Sequence, residues 1–166
     1  EMVGMDVAYV NVHVTDVDLE AWFFMKSRTK ARYTALQTLY EVDMTDHPLG
    51  TVLQERAKEN ELEAAEYDFA QEIALGVNEN KDRLDRLIAQ HAPEWPLDQV
   101  AIIDRNILRI ALWEIAIYRK TPLKVGINEA VELAKTFGTD SSPRFINGVL
   151  GSLVANLDAL KQALSQ

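Results

Sequence analysis

Between Leu97 and Tyr118, apolar residues turn up on almost every face that a helix could present: Val100, Ile102, Ile103, Ile107, Leu108, Ile110, Leu112, Ile115 and Ile117. A helix lying on a protein surface shows one apolar stripe and a polar remainder; a helix apolar round most of its circumference has to be covered from several sides. The stretch therefore predicts the central helix of a bundle, and a fold whose other helices wrap it. Charged residues also sit inside it, Asp104, Arg105, Arg109 and Glu114 among them. Glu114 is expected to be a core carboxylate with a partner, because an unpaired buried charge is too costly to keep. Asp104 and Arg105 are expected on the outside of the helix. They read either as a charged strip that meets another molecule or as local ion pairs with acidic helices.

The rest of the chain after residue 25 supplies the wrapping helices. A first helix is predicted from about Ser27 to Asp43, with Ala35, Leu36, Leu39 and Val42 as its apolar stripe. A turn at residues 46–50 separates it from a second helix at about 50–60. Residues 63–91 keep helical periodicity through Tyr67, Phe69, Ile73, Leu75, Val77, Leu84, Leu87 and Ile88, with a bend or break expected near Gly76–Asn80. Pro93 and Pro96 make residues 92–96 a clear interruption. The last two helices are predicted at about 126–137 and 143–164. Gly138 stops the first of these, Ser142 caps the second, and Pro143 takes the first helical position, where its missing N–H costs nothing.

The net charge of −9 argues at first against nucleic acid. Its distribution argues otherwise. Glu1, Asp6, Asp16, Asp18 and Glu20 precede residue 25 with no Lys or Arg among them; removing these five from the 26 acids leaves 21 against 17 bases, or −4. Residues 25–40 then hold Lys26, Arg28, Lys30 and Arg32 and no acid. Cations at the start of a helix oppose its dipole, by about 0.3–1 kcal/mol each at low salt, so helix stability alone would place Asp or Glu there. Such a cluster suits the phosphates of a single strand, with Tyr33 and Tyr40 as stacking surfaces, or it is a solvated arm. Arg144, in the first turn of the last helix, carries the same wrong charge for its place.

Three blocks of the chain, residues 31–40, 103–114 and 127–150, resemble in order and spacing the NusB family of bacterial transcription antitermination proteins. The likeness covers roughly residues 25–166. It implies an all-α fold of two packed three-helix bundles, parted at the 92–96 break. It also implies that the basic N-terminal helix (Lys26, Arg28, Lys30, Arg32) and the loop leading to Arg144 hold boxA-type single-stranded RNA. By the same likeness Tyr40, Asp104 and Arg105 lie at the surface that meets the ribosomal protein NusE. The complex would then act on RNA polymerase with other Nus factors, so that ribosomal RNA operons are transcribed processively in the cytoplasm. Thr29 and Lys30 stand where the family favours Arg, which implies modest affinity for RNA without the partner. Two other classes remain: a NusB-like module that accompanies an RNA cytosine methyltransferase, and a purely structural oligomerisation bundle.

Chemistry of an enzymatic kind finds little support. There is no cysteine, hence no disulfide and no thiolate nucleophile, which suits a reducing compartment. His13, His47 and His91 are scattered, and Pro93 breaks the one ligand-like spacing, His91 to Glu94. No phosphate loop or dinucleotide fingerprint occurs, and no cofactor or metal is expected. No apolar run reaches membrane-spanning length. The acidic run 55–68 reads as a solvated helix face. Residues 1–24 fall outside the resemblance and read as an extension or leader preceding a helical domain at 25–166. Val10–Thr15 alternates like a β-strand, which would pair with a second copy of itself, as in a homodimer, or with residues 2–9. Trp22–Met25 is expected to dock beside the first helix.

Overall fold

A computed structural model describes residues 26–165, and all their regular structure is helical. The strand expected at Val10–Thr15 and the docking of Trp22–Met25 lie outside the described residues. Seven α-helices follow in order: α1 (Ser27–Met44), α2 (Leu49–Glu59), α3 (Ala64–His91), α4 (Ile102–Trp113), α5 (Leu123–Phe137), α6 (Ser142–Val154) and α7 (Leu157–Leu164). A 3-10 turn at Leu97–Gln99 precedes α4, and a π-helical turn at Glu114–Tyr118 ends it. Among the described residues no helix is long and apolar enough to cross a membrane. The chain divides into two compact units, up to Leu75 and from Gly76 onward.

The first unit holds α1, α2 and the opening turns of α3. Its helix α1 departs from the one-sided stripe expected of it: every residue from Ala31 to Glu41 is buried, including Arg32, Thr34, Gln37, Thr38 and Glu41, while Val42 is only half-buried. Buried polar groups need partners, and they have them. Thr38 Oγ1 donates to the Thr34 carbonyl at 2.8 Å. Asn60, at the end of α2, donates from Nδ2 to Thr34 Oγ1 at 2.9 Å and to Gln37 Oε1 at 2.7 Å. Arg56 reaches Glu41 at 3.2 Å and Glu59 at 2.6 Å. The charged residues of the acidic run of α2 and early α3 are otherwise exposed, so Arg56 and the buried Glu66 are the exceptions among them. The network fixes α2 on α1 in one register, which apolar contacts alone specify less sharply.

The second unit is built round α4, as the apolar pattern demands. Ile103, Ile107, Leu108, Ile110, Ala111 and Leu112 are all buried, against α5 and α6. The expected break near Gly76 is absent, and α3 runs through without interruption. Gly76 answers a packing need: a Cβ there would run into the indole of Trp113. Asn80 Nδ2 donates to the Gly76 carbonyl at 2.7 Å, which seals the helix where a side chain is missing. Glu114 is buried, as expected, and accepts a hydrogen bond from Thr121 Oγ1. The single helix expected at 143–164 is two. Asn156 leaves helical geometry (φ −119°, ψ 31°), and α7 turns to pack on the π-helical turn. There Arg119, in the left-handed region at φ 63°, donates from Nη2 to the Lys161 carbonyl at 2.8 Å and to Ser165 Oγ at 2.6 Å.

Candidate nucleic-acid interface

The first unit presents the basic end of α1. The helix begins after an extended Lys26, with no side-chain cap and no acid in its first turn. Lys26 and Arg28 are exposed and Lys30 is half-buried. Arg32 differs from the solvated cation that the charge pattern implies: it is 3% exposed. Both arginines lie over one aromatic ring. The Arg28 guanidinium stands 4.0 Å from the centroid of Phe69, and that of Arg32 stands 5.4 Å from it. Sequence reading placed Phe69 in the core stripe of α3, where it is, but gave no sign that its ring faces the cations. Tyr33 and Tyr40 are 4% and 5% exposed. Neither ring is an open stacking platform, and Tyr40 presents little of itself to any partner.

The second unit presents a cleft of about 690 Å³ at the start of α4 and α6. Trp95 and Phe145 form one wall, edge to face with centroids 5.9 Å apart. Arg144 is exposed on the rim, and Asp104 and Ser141 complete the lining that matters chemically. Trp95 escaped the sequence reading because residues 92–96 registered only as a helix break.

Asp104 is not on the outside of α4. It is 8% exposed. Its Oδ2 accepts a hydrogen bond of 3.1 Å from Ser142 Oγ, and its Oδ1 is buried without a partner. Burial raises its carboxyl above the ordinary value, with the Ser142 hydrogen bond pulling the other way. Ser142 consequently does not cap α6. Its hydroxyl also accepts from the Thr139 N–H at 3.0 Å, so it ties the loop to α4. This close seat explains Gly138, whose Cβ would collide with Ser142; the glycine stops α5 in extended, not left-handed, backbone. Arg105 is half-buried, and its Nε also lacks a partner. Arg109 is turned inward instead, in a two-point pair with Asp85 at 2.7 and 2.9 Å.

Residues 29–155 match the model of the NusB family. The chain belongs to the NusB family. Within it, the "Transcription antitermination protein NusB" of Chloroflexus aggregans (strain MD-66 / DSM 9485) is 46% identical over 138 residues, 82% of this chain and 92% of that protein. Among solved structures, a T. maritima NusB superposes with a TM-score of 0.73 at 29% identity, over 84% of this chain and 97% of the other. A NusB solved with NusE and double-stranded RNA shares the fold, with a TM-score of 0.72 at 23% identity over 80% and 98%. Against the NusB pattern, both regions built above fall inside or beside the matched segment: the α1 cations run from Lys26 to Arg32, and the cleft includes Asp104 and Arg144.

Proposed function

We propose that this NusB-family chain is an RNA- and protein-binding transcription antitermination factor. In this reading it holds boxA-type single-stranded RNA together with the ribosomal protein NusE, and the complex acts on RNA polymerase, with other Nus factors, in the cytoplasm. The observation that carries the proposal is the basic first turn of α1. Cations sit there against the helix dipole, with no compensating acid in that turn. An arrangement unfavourable to the helix is what an anionic ligand would relieve.

Lys26, Arg28 and Lys30 are the proposed phosphate contacts on the first unit, with Arg32 behind them. Arg144 is the corresponding cation on the second. Partner contacts are proposed at Asp104 and Arg105 on the second unit and, separately, at Tyr40 on the first. The support is that Asp104 Oδ1 and Arg105 Nε, neighbours in sequence, both lack a hydrogen-bond partner. A partner offering a donor and an acceptor would complete both once binding moves the side chains that enclose them. Binding of RNA and of NusE then help each other equally, by linkage.

A salt titration of RNA binding, with and without NusE, tests this. If four cations each neutralise one phosphate of a single strand, log K falls with log salt at a slope of roughly −3. NusE is expected to tighten binding without steepening the slope greatly. A chain that binds no RNA at any salt concentration, with or without NusE, is a structural bundle and ends the proposal.

A further inference from the structure

We propose that Phe69 is a positioning residue for the RNA phosphates: its ring, held in the core of the first unit, orders Arg28 and Arg32 before RNA arrives. The inference rests on the reading that the basic end of α1 contacts RNA. Phe69 itself is 4% exposed and sits in the register of Ala70, Ile73 and Ala74, all buried, so α3 fixes where the ring points. Arg28 and Arg32, one turn apart on α1, both lie over it, at 4.0 and 5.4 Å.

Three physical consequences follow from this arrangement. A guanidinium is a flat ion that stacks through its face, so the N–H donors of the exposed Arg28 remain in the plane of the group, clear of the ring, where a phosphate can meet them. The negative face of the ring partly offsets two like charges brought together near the positive end of a helix, where the dipole opposes them. An arginine already held in place also loses less side-chain freedom when it binds. A leucine or isoleucine would fill most of the same core volume and provide none of this. The aromatic character of the residue, beyond its size, is what serves the cations.

The test measures the affinity of the full chain, with NusE, for a boxA-type single-stranded RNA oligonucleotide across a range of salt. The proteins are the parent, Phe69→Leu, Phe69→Tyr, Arg28→Ala and the double variant Arg28→Ala with Phe69→Leu. Phe69→Leu is expected to weaken binding about three- to tenfold with an unchanged salt slope, since the same phosphates are still neutralised. Phe69→Tyr should bind like the parent, because its ring is retained. In the Arg28→Ala background, Phe69→Leu should lose the larger part of its effect and keep only the share that acts through Arg32, the more distant of the two cations. Additive losses, or a tyrosine variant as weak as the leucine one, would mean that the ring only fills the core, and the inference fails. An Arg28→Ala variant with parental affinity and slope would instead remove α1 from the RNA site, and the inference goes with it. If Phe69→Leu does not fold, nuclear magnetic resonance of the parent reads the same contact: the Arg28 side-chain signals should be shifted upfield by the ring. Unshifted signals overturn the proposal.

Discussion

Helices α1 and α4 are each buried over a long run, and they tolerate it by opposite means. Along α4, Ile103, Ile107, Leu108, Ile110 and Leu112 meet their surroundings as apolar surface. Along α1, Arg32, Thr34, Gln37, Thr38 and Glu41 are equally buried, and the structure answers with Asn60 and Arg56 from α2. Apolar burial is forgiving of small shifts; a hydrogen-bonded register is not. The helix that presents the cations is thus the one held in place by directional bonds. That suits a ligand with fixed phosphate spacing. In α4 the polar exceptions are informative too: Asn106 and Arg109 are buried with partners, and Asp104, the one acid of the helix, is left with half of its carboxyl without a partner.

The comparison predicts a ranking of effects. Ile107→Ala empties a site with no exposure at the heart of α4 and should cost about 2–5 kcal/mol in urea denaturation. A loss under about 1 kcal/mol would mean that α4 is not wrapped as described. In α1, Gln37→Leu orphans one N–H of Asn60 and should cost about 1–3 kcal/mol. Adding Asn60→Leu should recover part of that loss, since the unpaired donor is gone. A second substitution that only adds to the damage would show that α1 depends on volume, as α4 does, and not on the bonds.

Asp104 gives a smaller effect with a defined sign. Its folded carboxyl titrates above the ordinary value of 3.8 because it is buried. Between the two values the folded state holds the proton and the unfolded state does not, so stability falls as pH rises through that window. Asp104→Asn keeps an acceptor for Ser142 and removes the charge. It should raise Tm by roughly 2–4 °C at neutral pH, and the gain should vanish below the ordinary carboxylate range. A variant whose gain is the same at both pH values would place the carboxyl in water. Asp104→Lys, harmless if the residue lay outside, should destabilise the fold for the same reason.

Arg28→Ala should have the least effect on stability, within about ±0.5 kcal/mol, because Arg28 is exposed. Its signature should appear only in RNA binding, as a salt slope flattened by about 0.7. Arg32→Ala is expected to lower Tm as well, since Arg32 is buried. Equal stability losses at the two arginines would erase the distinction between the cation on the surface and the one behind it.

Much of the helical layout was legible without coordinates. The period of apolar residues located α1 and α2 to within a residue or two, Pro93 and Pro96 marked the break before α4, and Gly138 marked the end of α5. Four cations without an acid are likewise a property of the sequence alone, as is their conflict with the helix dipole. These features are local: they depend on residues a few positions apart, which periodicity and charge report directly.

What tertiary structure decided involves residues far apart. A helix apolar on most sides has no wheel face that is plainly outside, so the sequence could not say that Asp104 turns inward to Ser142, 38 positions later. Gly76 looks like a helix breaker until the Trp113 indole is seen resting on it. Thr34, Gln37 and Glu41 look like the polar face of α1 until Asn60 and Arg56 arrive to bond them. Phe69 looks like one more core aromatic until Arg28 lies across its ring. In each case the residue type fixed what the side chain could do, and a distant partner brought by packing fixed what it does.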